Sequence, residues 1–295
     1  MKGCQCNMMR RLLLLVVLAV LCVETRSQQV AYEPADSVLI CNLLQQSKQL
    51  KPTENVPLFF ARQFLNVPYV AHTLERFSRE RLIVNTRQLD CTTLVETVTA
   101  LTLCSCRQQY TFAAYTQQLQ ALRYRDGKLT DYTSRLHYFS DWIDNNTQQH
   151  FVKEVQSSHP PFTAVQRLQI NYMSLHPQSY DALKQHPAFV SVIKKHENAL
   201  TGRTYRYIPK SAVKNTALLR RTVKDGDIIA ITCNKKGLDI AHLGFAVWKR
   251  DGLHMLNASQ LHKKVVTEPM TLYQYLQKHP SHTGIRIIRI NQSKD

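Results

Sequence analysis

The change of pattern in the last third of the chain restricts its fold more than any other sequence feature. Up to about residue 200, apolar residues recur mainly at helical spacing. Beyond that point, short apolar segments alternate with turns that contain Gly, Pro or Asp. These segments predict strands over residues 205–208, 227–233, 242–248, 253–257, 264–267 and 284–290. Helices followed by a run of antiparallel strands predict an α+β fold.

The earlier part of the chain predicts helices over residues 56–65, 112–122, 135–143, 168–175 and 180–199, besides one that begins at Cys91. Apolar residues share one face of the Cys91 helix, so this helix is expected to pack into the core. The region around 105–200 is long for a minimal catalytic core. We expect it to add a helical layer to a single domain that covers residues 28–295.

The N-terminal residues 1–27 predict a signal peptide. A basic pair precedes an apolar run over 12–23, which is too short to span a bilayer, and small Ser27 fits a cleavage site. We therefore expect export to the periplasm of a Gram-negative bacterium and no integral membrane span. A lipid anchor on Cys22 is less favoured, because bulky Leu21 precedes it.

The chain is strongly basic, with a formal net charge of +17. Residues 1–27 carry four basic residues and one acidic residue, so the remaining chain carries +14. Such an excess suits an anionic partner such as nucleic acid, an anionic lipid or a carboxylate-rich polymer. The basic residues are scattered and match no nucleic-acid motif, so no nucleic-acid partner is predicted.

The cysteines favour a reactive thiol over a metal site. Five follow residue 27, namely Cys41, Cys91, Cys104, Cys106 and Cys233, and an odd number in an exported chain leaves at least one thiol free. Cys104 and Cys106 are spaced too closely for a zinc knuckle and lack a second ligand pair. No metal or other cofactor is predicted, and Cys41 and Cys233 are expected to be small buried residues.

Cys91 and His242 are the candidate nucleophile and general base. Asp90 can cap the predicted helix and leave Cys91 at its first position, where unpaired backbone amides and the helix dipole favour a thiolate. His242 begins a strand far downstream. A thiol and a distant imidazole in these positions are typical of a cysteine hydrolase.

The third member of the constellation follows from the predicted hairpin. If residues 249–252 form a four-residue loop, Asn257 lies on the same sheet face as His242 and diagonal to it, whereas His254 points to the other face. A loop of another length would reverse this parity. The pattern favours Asn257 as the residue that orients the imidazole in a Cys-His-Asn arrangement.

These residues carry a family resemblance. The chain resembles the NlpC-like, papain-related cell-wall cysteine hydrolases and, among them, the N-acetylmuramoyl-L-alanine amidase-like family, over residues 56–290. The matching segments are Asn66-Val67-Pro68-Tyr69, Leu89-Asp90-Cys91-Thr92-Thr93-Leu94-Val95-Glu96, Arg135-Leu136-His137-Tyr138, Gly226-Asp227-Ile228-Ile229, Gly237-Leu238-Asp239-Ile240-Ala241-His242-Leu243-Gly244-Phe245 and Asn257-Ala258-Ser259. The chain departs from many relatives at Thr92, where they have Ser, and at Asn257, where they have His.

The resemblance implies a papain-like core in which the catalytic Cys, at a helix N-terminus, packs on an antiparallel sheet that carries the His. It also implies hydrolysis of the amide between N-acetylmuramic acid and L-alanine in peptidoglycan fragments (muropeptides), including anhydro-ended ones. We expect the protein to be a monomer. Cys91 would attack the carbonyl, His242 would transfer the proton, and Asn257 would orient His242. The implied substrate contacts are Tyr69, Arg135, His137 and Tyr138.

Two alternatives remain open at this point. The same nucleophile and base could cut between D-glutamate and the diamino acid of the stem peptide, because only the pocket contacts would differ. The chain could also be a non-catalytic protein that binds muropeptides, which would leave Cys91 unreactive.

Overall fold

A computed structural model describes residues 30–293, so the predicted signal peptide lies outside the described residues. The helices are α1 (Pro34–Ser47), α2 (Val56–Gln63), α3 (Cys91–Cys106), α4 (Phe112–Arg123), α5 (Phe139–Gln148), α6 (Tyr172–Leu175), α7 (Asp181–Gln185), α8 (Ala188–Leu200), α9 (Ala217–Thr222) and α10 (Leu272–Lys278). The strands are β1 (Val152–Val155), β2 (Ala164–Arg167), β3 (Thr204–Pro209), β4 (Ile228–Cys233), β5 (Ile240–Trp248), β6 (Leu253–Ser259), β7 (Lys264–Thr267) and β8 (His282–Ile290).

These strands form one sheet in the order β2-β3-β8-β4-β5-β6-β7, with β1 also pairing with β8. Every strand pair within it is antiparallel. The chain from β4 to β7 runs as neighbouring hairpins, which places β5 and β6 side by side. The predicted α+β class is therefore confirmed, with helices and an antiparallel sheet.

The sheet has an apolar cluster on each face, because alternate residues of a strand point to opposite sides. Leu94 of α3 and Phe245 of β5 belong to the cluster that also holds the N-terminal helices. Ala246 of β5, Met255 of β6 and Leu276 of α10 belong to the opposite cluster. The Cys91 helix thus packs on the sheet through its apolar face, as its sequence predicts.

A third apolar cluster forms in the region between α4 and β3. It joins Tyr138, Met173, Ile193 and Leu200 to Tyr205 of β3, among others. This region contains strands β1 and β2 as well as helices, so the expectation of a purely helical layer around 105–200 is wrong. Both strands are four residues long and pair with β8 and β3, which lie far away in sequence.

The six predicted strands are all present, but three of the predicted helices have different limits. Residues 135–138 are extended rather than helical, because Arg135 bridges to Tyr124 and α5 begins only at Phe139. The predicted helix over 168–175 is reduced to α6. The predicted helix over 180–199 divides at Pro187 into α7 and α8.

Across residues 30–293, no helix is long and apolar enough to cross a membrane. The cysteines of this part of the chain, Cys41, Cys91, Cys104, Cys106 and Cys233, carry free thiols. Cys233 is buried as predicted. Cys41 is only partly buried, because its helix α1 lies at the surface and exposes one side.

Candidate active site

Asp90 fixes the start of α3 and thereby the position of Cys91. Its Oδ1 accepts a hydrogen bond of 2.8 Å from the backbone N–H of Thr93, and Thr93 Oγ1 accepts one of 2.9 Å from the backbone N–H of Asp90. This reciprocal capping box satisfies two backbone donors and leaves Cys91 as the first helical residue. The predicted cap is confirmed.

His242 and Asn257 meet through the hairpin that the sequence predicts. Trp248 pairs with Leu253 across the four-residue loop, which is the register that puts Asn257 on the same side as His242. His242 Nε2 lies 2.9 Å from Asn257 Oδ1. Since an amide oxygen only accepts, Nε2 carries the proton and Nδ1 keeps its lone pair.

The Asn257 amide is itself held in place. The residue is 2% exposed, and its Nδ2 donates to the backbone carbonyl of Met255 at 3.3 Å. This second bond fixes which end of the amide faces the ring. The arrangement leaves the imidazole with one orientation and one tautomer.

Cys91 and His242 line the same cavity, of about 200 Å³. The backbone N–H of Leu243 and the side chain of Thr92 both hydrogen-bond the sulfur of Cys91. The nucleophile therefore lies against β5 at the residue next to the base. The cavity is further lined by Glu75, Tyr132, His137, Tyr138, Phe139, Met173, Tyr180, Leu238, Asp239, Ile240 and Ala241.

Burial makes both reactive groups neutral in the free protein. It raises the pKa of Cys91 to about 12, and the negative charge of Asp90 adds to this effect. It also lowers the pKa of His242, although the hydrogen bond that His242 donates to Asn257 acts in the opposite direction. Burial and the charge of Asp90 thus act against the helix terminus, which favours the thiolate.

Tyr69 lies beside the nucleophile. Its backbone N–H donates to the carbonyl of Lys263 at 2.9 Å, and the residue bridges Leu89 just before the cap of α3. Burial raises the pKa of Tyr69, a thiolate on Cys91 would raise it further, and the charge of Asp90 acts in the same direction. The phenol therefore stays protonated near the sulfur, although Tyr69 does not line the 200 Å³ cavity.

The other three predicted contacts have protein partners. Arg135 Nη2 binds Glu80 Oε2 at 2.7 Å and Oε1 at 2.9 Å, and its guanidinium lines a neighbouring cavity. His137 lines the reactive cavity, where its Nε2 donates to the carbonyl of Tyr132 at 2.8 Å. Burial, followed by the charge of Arg135, lowers the pKa of His137 to about 3, so its ring is neutral.

Tyr138 also lines the reactive cavity, but its hydroxyl serves the fold. It donates to Glu197 Oε1 at 2.7 Å and accepts from the backbone N–H of Met173 at 3.0 Å. This ties α5 to α6 and α8. Its ring, rather than its hydroxyl, is therefore the part that a substrate could contact.

Three acidic residues near the site had escaped the sequence reasoning. Asp239 and Glu75 line the reactive cavity, and Asp239 Oδ2 accepts from the backbone N–H of Ser140 at 2.6 Å. Glu268 is 1% exposed, and neither carboxylate oxygen has a hydrogen-bond partner, although His262 Nε2 lies 3.3 Å away. Asp239 lies within the quoted segment before His242, but no local pattern marks Glu75 or Glu268, and the partner of Asp239 comes from a distant segment.

The described residues hold no cluster of three or more His, Cys, Asp or Glu side chains suited to a metal ion. The chemistry that the site can perform with its own groups is nucleophilic attack by sulfur and proton transfer by imidazole.

Comparison with known proteins identifies the family of the chain. The family model described as AmiA-like, N-acetylmuramoyl-L-alanine amidase-like, matches residues 59–285. The chain belongs to this family. No curated protein sequence matches it significantly.

Several solved structures are similar to the chain. An N-acetylmuramoyl-L-alanine amidase from Bacteroides uniformis ATCC 8492 is 42% identical with a TM-score of 0.75, over 84% of this chain and 99% of that one. A Bacteroides fragilis protein named only as a proposed xylanase is 41% identical with a TM-score of 0.73, over 78% and 99%. A Legionella pneumophila str. Philadelphia 1 protein, 22% identical with a TM-score of 0.68 over 87% and 94%, shares the fold.

Proposed function

We propose that this member of the AmiA-like family is a cysteine amidase with a papain-like, NlpC-type core. It cleaves the amide between the lactyl group of N-acetylmuramic acid and L-alanine in peptidoglycan fragments. The observation that carries this proposal is the 2.9 Å contact between His242 and Asn257, with His242 and Cys91 lining one cavity. The names of the family and of the Bacteroides uniformis relative support the choice of bond.

The reaction begins from a neutral thiol and a neutral imidazole. His242 Nδ1 takes the proton of Cys91 as the sulfur bonds to the lactyl carbonyl carbon, and the carbonyl electrons move onto oxygen. The imidazolium then gives this proton to the leaving nitrogen of L-alanine as the C–N bond breaks. Water, deprotonated by the same imidazole, hydrolyses the resulting thioester to the lactyl carboxylate and the free thiol.

The fold contributes to two steps of this sequence. The hydrogen bond from Nε2–H to Asn257 strengthens when the ring becomes positive, because the donor is then charged. We expect the backbone N–H of Cys91, in the first turn of α3, to donate to the oxyanion. A single donor of this kind typically contributes on the order of 10²–10³ in rate.

The decisive experiment is mass spectrometry of purified muropeptides incubated with the wild-type protein, with Cys91→Ala and with Cys41→Ala. Cys41 is a matched control because its thiol is also free and only partly buried. We expect wild type and Cys41→Ala to release an intact peptide that begins with L-alanine, and Cys91→Ala to release none.

Other products would indicate a different function. A shortened peptide would show cleavage within the stem and replace the amidase by an endopeptidase with the same nucleophile. Binding without cleavage would refute the enzyme and indicate a muropeptide-binding protein. We also propose export, on the pattern of residues 1–27, and N-terminal sequencing of the mature protein from cell fractions tests it.

A further inference from the structure

A second cavity, of about 460 Å³, adjoins the reactive one. Glu75 and Tyr132 line both cavities, so the two share a wall. The reactive cavity, at about 200 Å³, is smaller than the roughly 300–1,000 Å³ of typical ligand sites. A substrate that places its scissile bond at Cys91 must therefore extend beyond that cavity, and the adjoining space is on its border.

The charges around the second cavity nearly balance. Its acidic residues are Glu75, Glu80, Asp131 and Asp181, and its arginines are Arg76, Arg79 and Arg135. Glu80 also neutralises Arg135 through hydrogen bonds of 2.7, 2.9 and 3.1 Å. Such a lining offers many donors and acceptors without a dominant sign, which suits an uncharged polar ligand better than a carboxylate.

Aromatic rings supply the apolar part of the same cavity. Phe77, Tyr132 and Phe189 line it, and Phe77 is 45% exposed. The guanidinium of Arg81 lies 4.7 Å from the centre of the Phe77 ring and helps to hold that ring in place. An exposed aromatic ring beside balanced polar groups is a surface for a ligand with one apolar face and a hydroxylated rim.

We propose that the 460 Å³ cavity binds the sugar ring of the substrate, an uncharged N-acetylated pyranose. The assignment rests on the proposed function, which joins the lactyl group directly to this sugar. Once the lactyl carboxyl is part of an amide, the sugar half carries no charge, whereas the stem peptide carries carboxylates and, on its diamino acid, an ammonium group. The exposed ring of Phe77 favours the sugar half, because an aromatic ring can pack against the C–H face of a pyranose.

Two substrates with the same scissile amide test this assignment: the muramyl peptide, and the same peptide acylated with D-lactate alone. We expect wild type to prefer the muramyl peptide in kcat/KM, mainly through a lower KM. Phe77→Ala is expected to reduce that preference by roughly tenfold, the effect of losing most of one buried apolar contact. Phe77→Tyr should retain it, since the ring remains.

Val165→Ala is the matched control, because Val165 is an exposed apolar residue, 55% accessible, and lines neither cavity. It should leave the preference as in wild type. If the muramyl peptide is cleaved and Phe77→Ala keeps the full preference, the sugar assignment is overturned while the amidase stands.

A binding measurement separates the inference from the proposed function. Ligand-observed NMR with the lactyl amide of the methyl glycoside of N-acetylmuramic acid, which is uncharged, should detect binding to Cys91→Ala and a loss of binding in Cys91→Ala/Phe77→Ala. Such binding without any cleavage by wild type would refute the amidase and support the sugar site. Equal binding to both variants, or no binding to either, would overturn the sugar site.

Discussion

Replacing Asn257 by Ala removes the hydrogen bond that orients the catalytic imidazole. The deletion leaves the Nε2–H of His242 without its 2.9 Å partner in a buried position. An unsatisfied buried donor costs about 1–3 kcal/mol, and the cost is greater when the ring is charged, as it is after taking the thiol proton. At about 1.4 kcal/mol per factor of ten, we expect kcat/KM to fall by roughly 10- to 100-fold.

The pH profile gives a second, independent readout. His242 must be neutral to accept a proton, so activity rises with pH through the pKa of His242. Burial lowers this pKa and the Asn257 hydrogen bond raises it, so Asn257→Ala lowers it further. The acidic limb of kcat/KM should therefore move to lower pH, whereas Asn257→Asp, which adds a negative charge, should move it to higher pH.

Asn146→Ala is the matched control. Asn146 is also a buried amide, bonded to the carbonyls of Leu122 and Trp142, but it lies outside the reactive cavity. It should lower the melting temperature without moving the pH profile. The reasoning is refuted if a folded Asn257→Ala protein keeps its rate within twofold, or if the Ala and Asp variants shift the acidic limb in the same direction.

Three further replacements should have separable effects. Burial dominates the raised pKa of Cys91 and Asp90 adds to it, so Asp90→Asn should let iodoacetamide label the thiol at lower pH. Glu96→Gln leaves the buried positive charge of Arg123 without the negative charge 2.7 Å away and should cost about 3–5 kcal/mol of unfolding free energy, measured in urea. The buried carboxylate of Glu268 raises the pKa of the catalytic imidazole, so Glu268→Gln should move the acidic limb of activity to lower pH.

Each of these has its own check. Asp90→Ala removes the helix cap as well as the charge and should cost about 1 kcal/mol of stability, whereas Asn can still cap the helix. A labelling shift that both variants share is therefore caused by loss of the charge and not by loss of the cap. Glu54→Gln, at an exposed carboxylate, should change neither unfolding nor the pH profile. A stability loss below 1 kcal/mol for Glu96→Gln, or an unmoved acidic limb for Glu268→Gln, would contradict the assigned interactions.

The sequence predicts the parts of the site that local patterns determine. A helix cap lies within three residues of Cys91, and a four-residue loop determines the register that brings Asn257 to His242. Both features depend on residues that are close together in the sequence, so the sequence alone is enough to predict them. The six predicted strands were found for the same reason, because alternation and turns are local.

The features that the sequence did not predict depend on contacts between residues that are far apart in the chain. Arg135 looks like a free carboxylate binder until Glu80, 55 residues earlier, is found bonded to it. Leu136, Phe139 and Ile143 have helical spacing, yet Leu136 lies in an extended segment and only Phe139 and Ile143 lie in helix α5. Strands β1 and β2 escaped prediction because four residues give little periodicity and their partners lie far along the chain.

The two clusters on opposite faces of the sheet make catalysis depend on complete folding. Cys91 packs against the cluster that holds the N-terminal helices, whereas Asn257 shares a strand face with Met255 of the other. Neither half of the chain holds both groups, because α3 lies in the first half and β5 and β6 lie in the second. We therefore expect the proposed activity to report on the packing of both faces of the sheet.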